Sequence, residues 1–166
     1  MPPPVRALVF DAYGTLFDPF AVRTRAEELF PGNGVALSQL WRAKQLEYSW
    51  LRTLMGRYEN FWKITEAALA FSCRALNLSC DEHQRKQLLQ VYLTLPSFPE
   101  VKPALEKLSR LPLSILSNGT PEMLAAVVAA NGALRRLSVD DPSLDVIYTR
   151  FFEQQAARGK EMRDAA

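Results

Sequence analysis

Val5-Arg6-Ala7-Leu8-Val9-Phe10-Asp11-Ala12-Tyr13-Gly14-Thr15-Leu16-Phe17-Asp18 begins as a short apolar run, ends that run in an acid, and breaks at Tyr13-Gly14-Thr15. A run this short and apolar reads as a buried strand, and the glycine-centred break as a turn. The first 18 residues therefore predict a strand carrying a carboxylate, Asp11, at its carboxyl end. In a parallel sheet that end faces the crevice where ligands bind. A carboxylate there is a potential covalent nucleophile, although the same Asp is equally suited to cap the turn that follows.

Downstream the period changes from strand to helix. Helices are expected over 21–29, closed by Pro31-Gly32-Asn33-Gly34, and over 36–58 with Ser38 or a residue just before it as candidate cap. Phe61, Ile64, Ala68, Phe71 and Ala75 recur at helical spacing. Asp81 is an N-cap candidate for a fourth helix over 81–93, and a fifth is expected over 100–111. Leu113-Ser114-Ile115-Leu116 returns to strand character, and 122–130 forms a helix stopped by Gly132. Two short apolar strands with helices between them predict a parallel sheet. The block between them is too long for a simple crossover, so it reads as a helical cap inserted into an α/β core. A weak third strand is expected at Val139 or over 145–148, and a frayed tail from 153.

Composition sets the outer limits. The chain has 166 residues, 48% of them hydrophobic and 23% charged, which fits one folded unit with a real core. Twenty basic residues stand against eighteen acidic ones, and no segment is polybasic. The balance argues against nucleic acid and membrane surfaces as partners. No apolar stretch reaches the ~20 residues that span a bilayer, and the first residues lack the pattern of a signal peptide. Cys73 and Cys80 make no disulfide framework, so a cytoplasmic location is expected. His83, the only histidine, sits in a polar stretch without a nucleophile elbow and is expected to be exposed. Trp41, Tyr48, Trp50 and Trp62 are expected to pack within the cap.

Three segments carry a resemblance. Phe10-Asp11-Ala12-Tyr13-Gly14-Thr15-Leu16-Phe17-Asp18 resembles the first motif of the haloacid dehalogenase superfamily, in which the first Asp is the nucleophile. The run Leu40-Trp41-Arg42-Ala43-Lys44-Gln45-Leu46-Glu47-Tyr48-Ser49-Trp50-Leu51-Arg52 is similar to the cap-helix signature of the L-2-haloacid dehalogenases, and Ile115-Leu116-Ser117-Asn118-Gly119 to their second motif. The resemblance covers about residues 5–132. It implies a partial Rossmann-like parallel sheet core, residues 1–18 and 97–166, with a helical cap over 19–96. It also implies hydrolysis of short-chain L-2-haloacids to D-2-hydroxyacids through an ester on Asp11, with a haloacid and a halide as ligands, no cofactor or metal, and a homodimer formed through cap-helix aromatics.

The resemblance assigns Arg42 to the departing halide with help from Asn118, Ser117 to the substrate carboxylate, and Thr15 to support of Asp11. An anionic nucleophile approaching an anionic substrate needs such cations and donors around it. Leu46 lies one turn past Arg42 and faces the same way; with Tyr13 and Phe61 it would wall the pocket and keep Asp11 poorly hydrated. Magnesium-dependent phosphatases of the superfamily carry a second Asp two positions after the nucleophile, where this chain has Tyr13. A phenol is a poor acid there and a poor magnesium ligand, which counts against that third reading.

Past Gly132 the pattern departs from the family. Where a Tyr-Lys-Pro motif is expected the chain has Tyr148-Thr149-Arg150, and Lys160 has no matching context. The later Ser-Asn and Asp motif is missing as well. The alternative expectation is therefore a shortened, catalytically impaired homologue arising from truncation or frameshift.

Overall fold

The structure is a computed structural model and describes residues 5–132. Expectations for Val139, for 145–148, for Tyr148-Thr149-Arg150, for Lys160 and for the tail lie outside the described residues.

Strand β1 (Leu8–Phe10) pairs in parallel with β2 (Leu113–Ile115), placing Leu8 beside Leu113 and Phe10 beside Ile115. The ladder is extended by Leu8 N donating to Pro112 O at 3.0 Å and Leu116 N to Phe10 O at 2.9 Å. Both strands end at the same level, so Asp11 and the Ser117-Asn118 pair emerge side by side. The fold is thus α/β, as the sequence indicates. The expectation that 5–11 is a buried strand is corrected in two respects: the strand is three residues long, and Val9 is 61% exposed. Only the alternate face, Leu8 and Phe10, packs against the core.

Between the strands, a short 3-10 turn (Pro19–Ala21) leads into α1 (Val22–Leu29), α2 (Gly34–Leu54), α3 (Phe61–Ala75) and α4 (Glu82–Tyr92). Helix α2 packs on α1 and α3, while α4 closes against α1 and α3. The sequence spacing finds α3 but not its whole face. Phe61, Ile64, Thr65, Ala68, Leu69, Ser72 and Cys73 are its buried residues, whereas Phe71 is half-buried and Ala75 exposed. A 3.6-residue period broadens the buried stripe beyond the apolar letters and takes Thr65 and Ser72 inside. Both hydroxyls are satisfied along their own helix, on Phe61 O at 2.7 Å and Ala68 O at 2.8 Å.

Helix ends follow local chemistry. Asp81 caps α4 in a reciprocal capping box with Gln84. Ser38 does not cap α2: it is buried inside the helix and donates to Val35 O at 2.9 Å. The start of α2 is instead held by Glu27 of α1, whose carboxylate accepts the N–H groups of Gly32 and Gly34. Gly34 is required there, because a Cβ would lie 2.7 Å from Arg23 O and from the Glu27 side chain.

The two backbone donors hold the Glu27 carboxyl below its usual range. A carboxylate whose folded pKa is depressed adds stability above its unfolded pKa and loses it as pH falls through the folded one. The difference in melting temperature between the protein and Glu27→Gln is therefore expected to be largest at neutral pH and to shrink on acidification. A gap that does not change with pH would remove this role from Glu27.

The helical block leaves and rejoins the sheet at one place. Asp18 N donates to Pro96 O at 3.0 Å and Phe98 N to Leu16 O at 3.0 Å, so the two connections run antiparallel beside each other. Helix α5 (Val101–Lys107) then leads into β2, and α6 (Pro121–Ala130) follows it. Gly132, at φ +41°, lies just past the α6 cap, as the sequence predicts. The cap residue Asn131 reaches back to the connection, donating to Leu95 O and accepting from Ser97 N, both at 2.8 Å.

Phe17, Leu37, Trp41, Tyr92, Leu95 and Val127 are among the residues of one continuous core under these elements. His83 is exposed, beside Gln87. Trp41 is fully buried, and Tyr48 and Trp62 are half-buried. Trp50 departs from the expected cap packing, being 66% exposed near the end of α2.

Candidate active site

The turn after β1 is built on one carbonyl. Ala12 O accepts from Thr15, Leu16 and Phe17 N–H groups at 3.3, 2.9 and 3.0 Å, and Gly14 supplies the left-handed backbone the turn needs at φ +102°. The result exposes Asp11 and turns Thr15 back over it, with Thr15 Oγ1 donating to Asp11 Oδ2 at 3.5 Å. The Tyr13 side chain between them is buried.

Arg42 reaches this turn from α2. Its Nη2 donates to Tyr13 O at 2.8 Å and its Nη1 to Gln45 Oε1 at 2.7 Å. Arg42 is half-buried, unlike a fully solvated surface residue. Among the described residues it has no carboxylate partner, whereas Arg52 of the same helix is paired with Glu59 at 2.8 Å. Leu46 is half-buried one turn further along.

The loop after β2 completes the constellation. Ser117 is buried, and its Oγ accepts from Gly119 N at 3.3 Å. Gly119 lets the Tyr13 ring lie on the backbone, since a Cβ would come within 2.7 Å of Tyr13 Cε2. Tyr13 also stacks in tilted contact with Phe61 at 5.9 Å and Tyr92 at 6.1 Å between ring centroids. Phe61 and Asn118 share the wall of a cleft with Ser49, Arg52 and Glu59.

The structure thus brings Asp11 to Thr15, Arg42 to the Tyr13 carbonyl, Tyr13 to Phe61 and Gly119, and Phe61 to Asn118. The Tyr13 hydroxyl is buried with no hydrogen-bond partner among the described residues. Its pKa is pushed far above the ordinary value, first by burial and then by the Tyr92 phenol, so it stays protonated. Asp11 differs from expectation in being exposed rather than enclosed by the apolar wall.

Sequence reasoning missed Gln45, Thr65 and Tyr92. All three are buried and joined behind Arg42: Gln45 Nε2 donates to Thr65 Oγ1 at 2.6 Å, and Tyr92 Oη donates to Gln45 Oε1 at 3.1 Å. Their only sequence signal is the helical spacing that puts Gln45 one turn past Trp41 and Thr65 one turn past Phe61, both large apolar residues. Among the described residues, no three His, Cys, Asp or Glu side chains converge as a metal site would require.

The haloacid dehalogenase-like hydrolase family matches residues 5–164, beyond Gly132. The (S)-2-haloacid dehalogenase of Pseudomonas sp. (strain YL) is 51% identical over 130 residues, 77% of this chain and 56% of that protein. The enzyme of the same description from Xanthobacter autotrophicus is 48% identical over 128 residues, 77% of this chain and 51% of that protein. The solved structure of the Xanthobacter autotrophicus L-2-haloacid dehalogenase with chloropropionic acid covalently bound superposes with a TM-score of 0.77 at 45% identity, over 81% of this chain and 55% of that one. The chain spans about half the length of the curated relatives it matches.

Proposed function

Because the chain belongs to the haloacid dehalogenase-like hydrolase family, we propose that its site performs the hydrolytic dehalogenation of short-chain L-2-haloacids to D-2-hydroxyacids. The observation that carries this reading is the Asp11 carboxylate beneath Thr15, with the guanidinium of half-buried Arg42 held on the carbonyl of Tyr13 two residues away. In this reading an Asp11 oxygen attacks C2 of the substrate from the face opposite the halogen. The C–X bond breaks with its electron pair going to halide, and C2 inverts as the Asp11 ester forms. Water then attacks the Asp11 carbonyl carbon, the hydroxyacid leaves, and the carboxylate is restored with one oxygen from water. The covalently bound chloropropionic acid of the Xanthobacter autotrophicus relative supports the ester step.

Arg42 and Asn118 serve the departing halide and Ser117 the substrate carboxylate. Tyr13, Phe61 and Leu46 form the apolar side, and Thr15 orients Asp11. No cofactor or metal is invoked. A superfamily phosphatase would use a second carboxylate where Tyr13 stands, and a phenol held protonated by burial does not supply one.

We read residues 1–18 and 97–166 as the sheet core and 19–96 as its cap, a division supported by the paired connections at Asp18 and Pro96. The free thiols Cys73 and Cys80 suit a reducing, cytoplasmic setting. The test of the chemistry is chloride release from L-2-chloropropionate against its D-enantiomer, with the chirality of the product determined. Release that does not distinguish the enantiomers would overturn the reading.

A homodimer is also part of this reading. Trp50, Leu51, Leu54 and Met55 expose apolar surface at the end of α2, with Leu54 80% exposed. Light scattering is expected to give a dimer that Leu54→Asp converts to monomer; a monomer at every concentration of the unaltered protein would remove it.

A further inference from the structure

Gln45 is fully buried in the middle of α2 and takes no part in the chemistry above. A buried primary amide is costly unless its donors and acceptor are used. Here their arrangement has a direction. Thr65 has one hydroxyl proton, and it is spent on Phe61 O at 2.7 Å. Thr65 Oγ1 can therefore only accept from its next neighbour, so the Gln45 atom facing it at 2.6 Å is the NH2 group. That fixes the amide, and its carbonyl oxygen faces Arg42 Nη1 at 2.7 Å and the Tyr92 hydroxyl at 3.1 Å. The orientation of Arg42 is thus set by a backbone carbonyl of α3, relayed through Thr65 and Gln45.

The neutrality of this acceptor matters as much as its place. Tyr13 O and Gln45 Oε1 occupy Nη2 and Nη1 of the guanidinium, and neither carries charge. A carboxylate at position 45 would accept the same hydrogen bonds while cancelling the charge in a partly buried ion pair. A non-polar side chain would free Nη1 of the guanidinium and strand the Tyr92 hydroxyl.

We propose that Gln45 is a positioning residue that holds Arg42 oriented by a neutral acceptor, with no carboxylate partner among the described residues, so that its charge is available to a small anion. The inference rests on the dehalogenase reading for the identity of that anion, a halide. It does not depend on turnover, so it can be tested at equilibrium on the full chain.

The probe is bromide, titrated in halide-free buffer. Two readouts are followed: bromide affinity, and the side-chain 15N–1H signals of Arg42, assigned by their loss in Arg42→Lys. Gln45→Met is expected to collapse the protected Arg42 signals and weaken bromide binding about tenfold to a hundredfold, the effect of one lost charge-assisted hydrogen bond. Gln45→Glu is expected to weaken bromide binding as much while leaving the Arg42 signals protected. A residue that served only packing would not separate the two readouts in this way. Gln45→Glu with unaltered bromide affinity, or Gln45→Met with unaltered Arg42 signals, overturns the inference. If those results come from a protein that does release chloride from L-2-chloropropionate, the inference fails alone. Absence of both bromide binding and chloride release in the unaltered protein would sink the dehalogenase reading, and the proposed role for Gln45 with it.

Discussion

Asp11→Asn is expected to abolish chloride release from L-2-chloropropionate and, with it, any mass increase of the protein on mixing with substrate. The amide removes the negative charge and the nucleophilic lone pair while keeping nearly the same shape. Because Asp11 is exposed and its contact with Thr15 is long, at 3.5 Å, folding has little stake in it. The melting temperature should stay close to that of the unaltered protein, which separates lost chemistry from lost structure. In water labelled with 18O, the unaltered protein should acquire label in the peptide that contains Asp11, and the variant should not. Chloride release equal in the two proteins would show that the carboxylate at the end of β1 is not the nucleophile. Such a result would leave the fold assignment intact.

Trp41→Ala is expected to cost about 3–5 kcal/mol of stability. Trp41 is fully buried, its Nε1 donates to Thr65 O at 2.9 Å, and its ring lies 4.9 Å from that of Tyr92. Truncation would open a cavity between α2, α3 and α4, next to the residues that orient Arg42. A drop in melting temperature on the order of 10 °C should follow. Trp41→Phe should cost less, since it keeps much of the ring contact but forfeits the hydrogen bond. A change of only one or two degrees for Trp41→Ala would mean that the helical block does not depend on this joint.

What could be read from the letters was what local rules control. The Asp81 cap and the Gly132 stop each depend on a few neighbouring residues and stand where the sequence puts them, and a strand does precede Asp11, though it is shorter and more exposed than its apolar letters suggest. Ser38 shows the limit of such rules: a serine near a helix start suits a cap, but Glu27, seven residues before Gly34, already holds that end. Gln45 shows a deeper limit. A glutamine on a helix reads as surface, and its burial depends on a threonine twenty residues and a tyrosine forty-seven residues away. Tyr13 lies between these cases. Its identity signals an apolar site, but its fit over Gly119 is a long-range contact that no local pattern encodes.

The side-by-side connections at Asp18 and Pro96 bear on the order in which the chain folds. Leu8 and Leu113 pair across roughly a hundred residues, a closure with a large entropic penalty in an open chain. If the helices between them collapse first, their two ends arrive together, and only short stretches remain between that junction and the strands. The effective loop shrinks several-fold, which lowers the closure penalty by roughly 1 kcal/mol, about fivefold in rate. In that order of events the helical block acts as a splint for the sheet, and the strand that leads to Asp11 is among the last parts to find its neighbour.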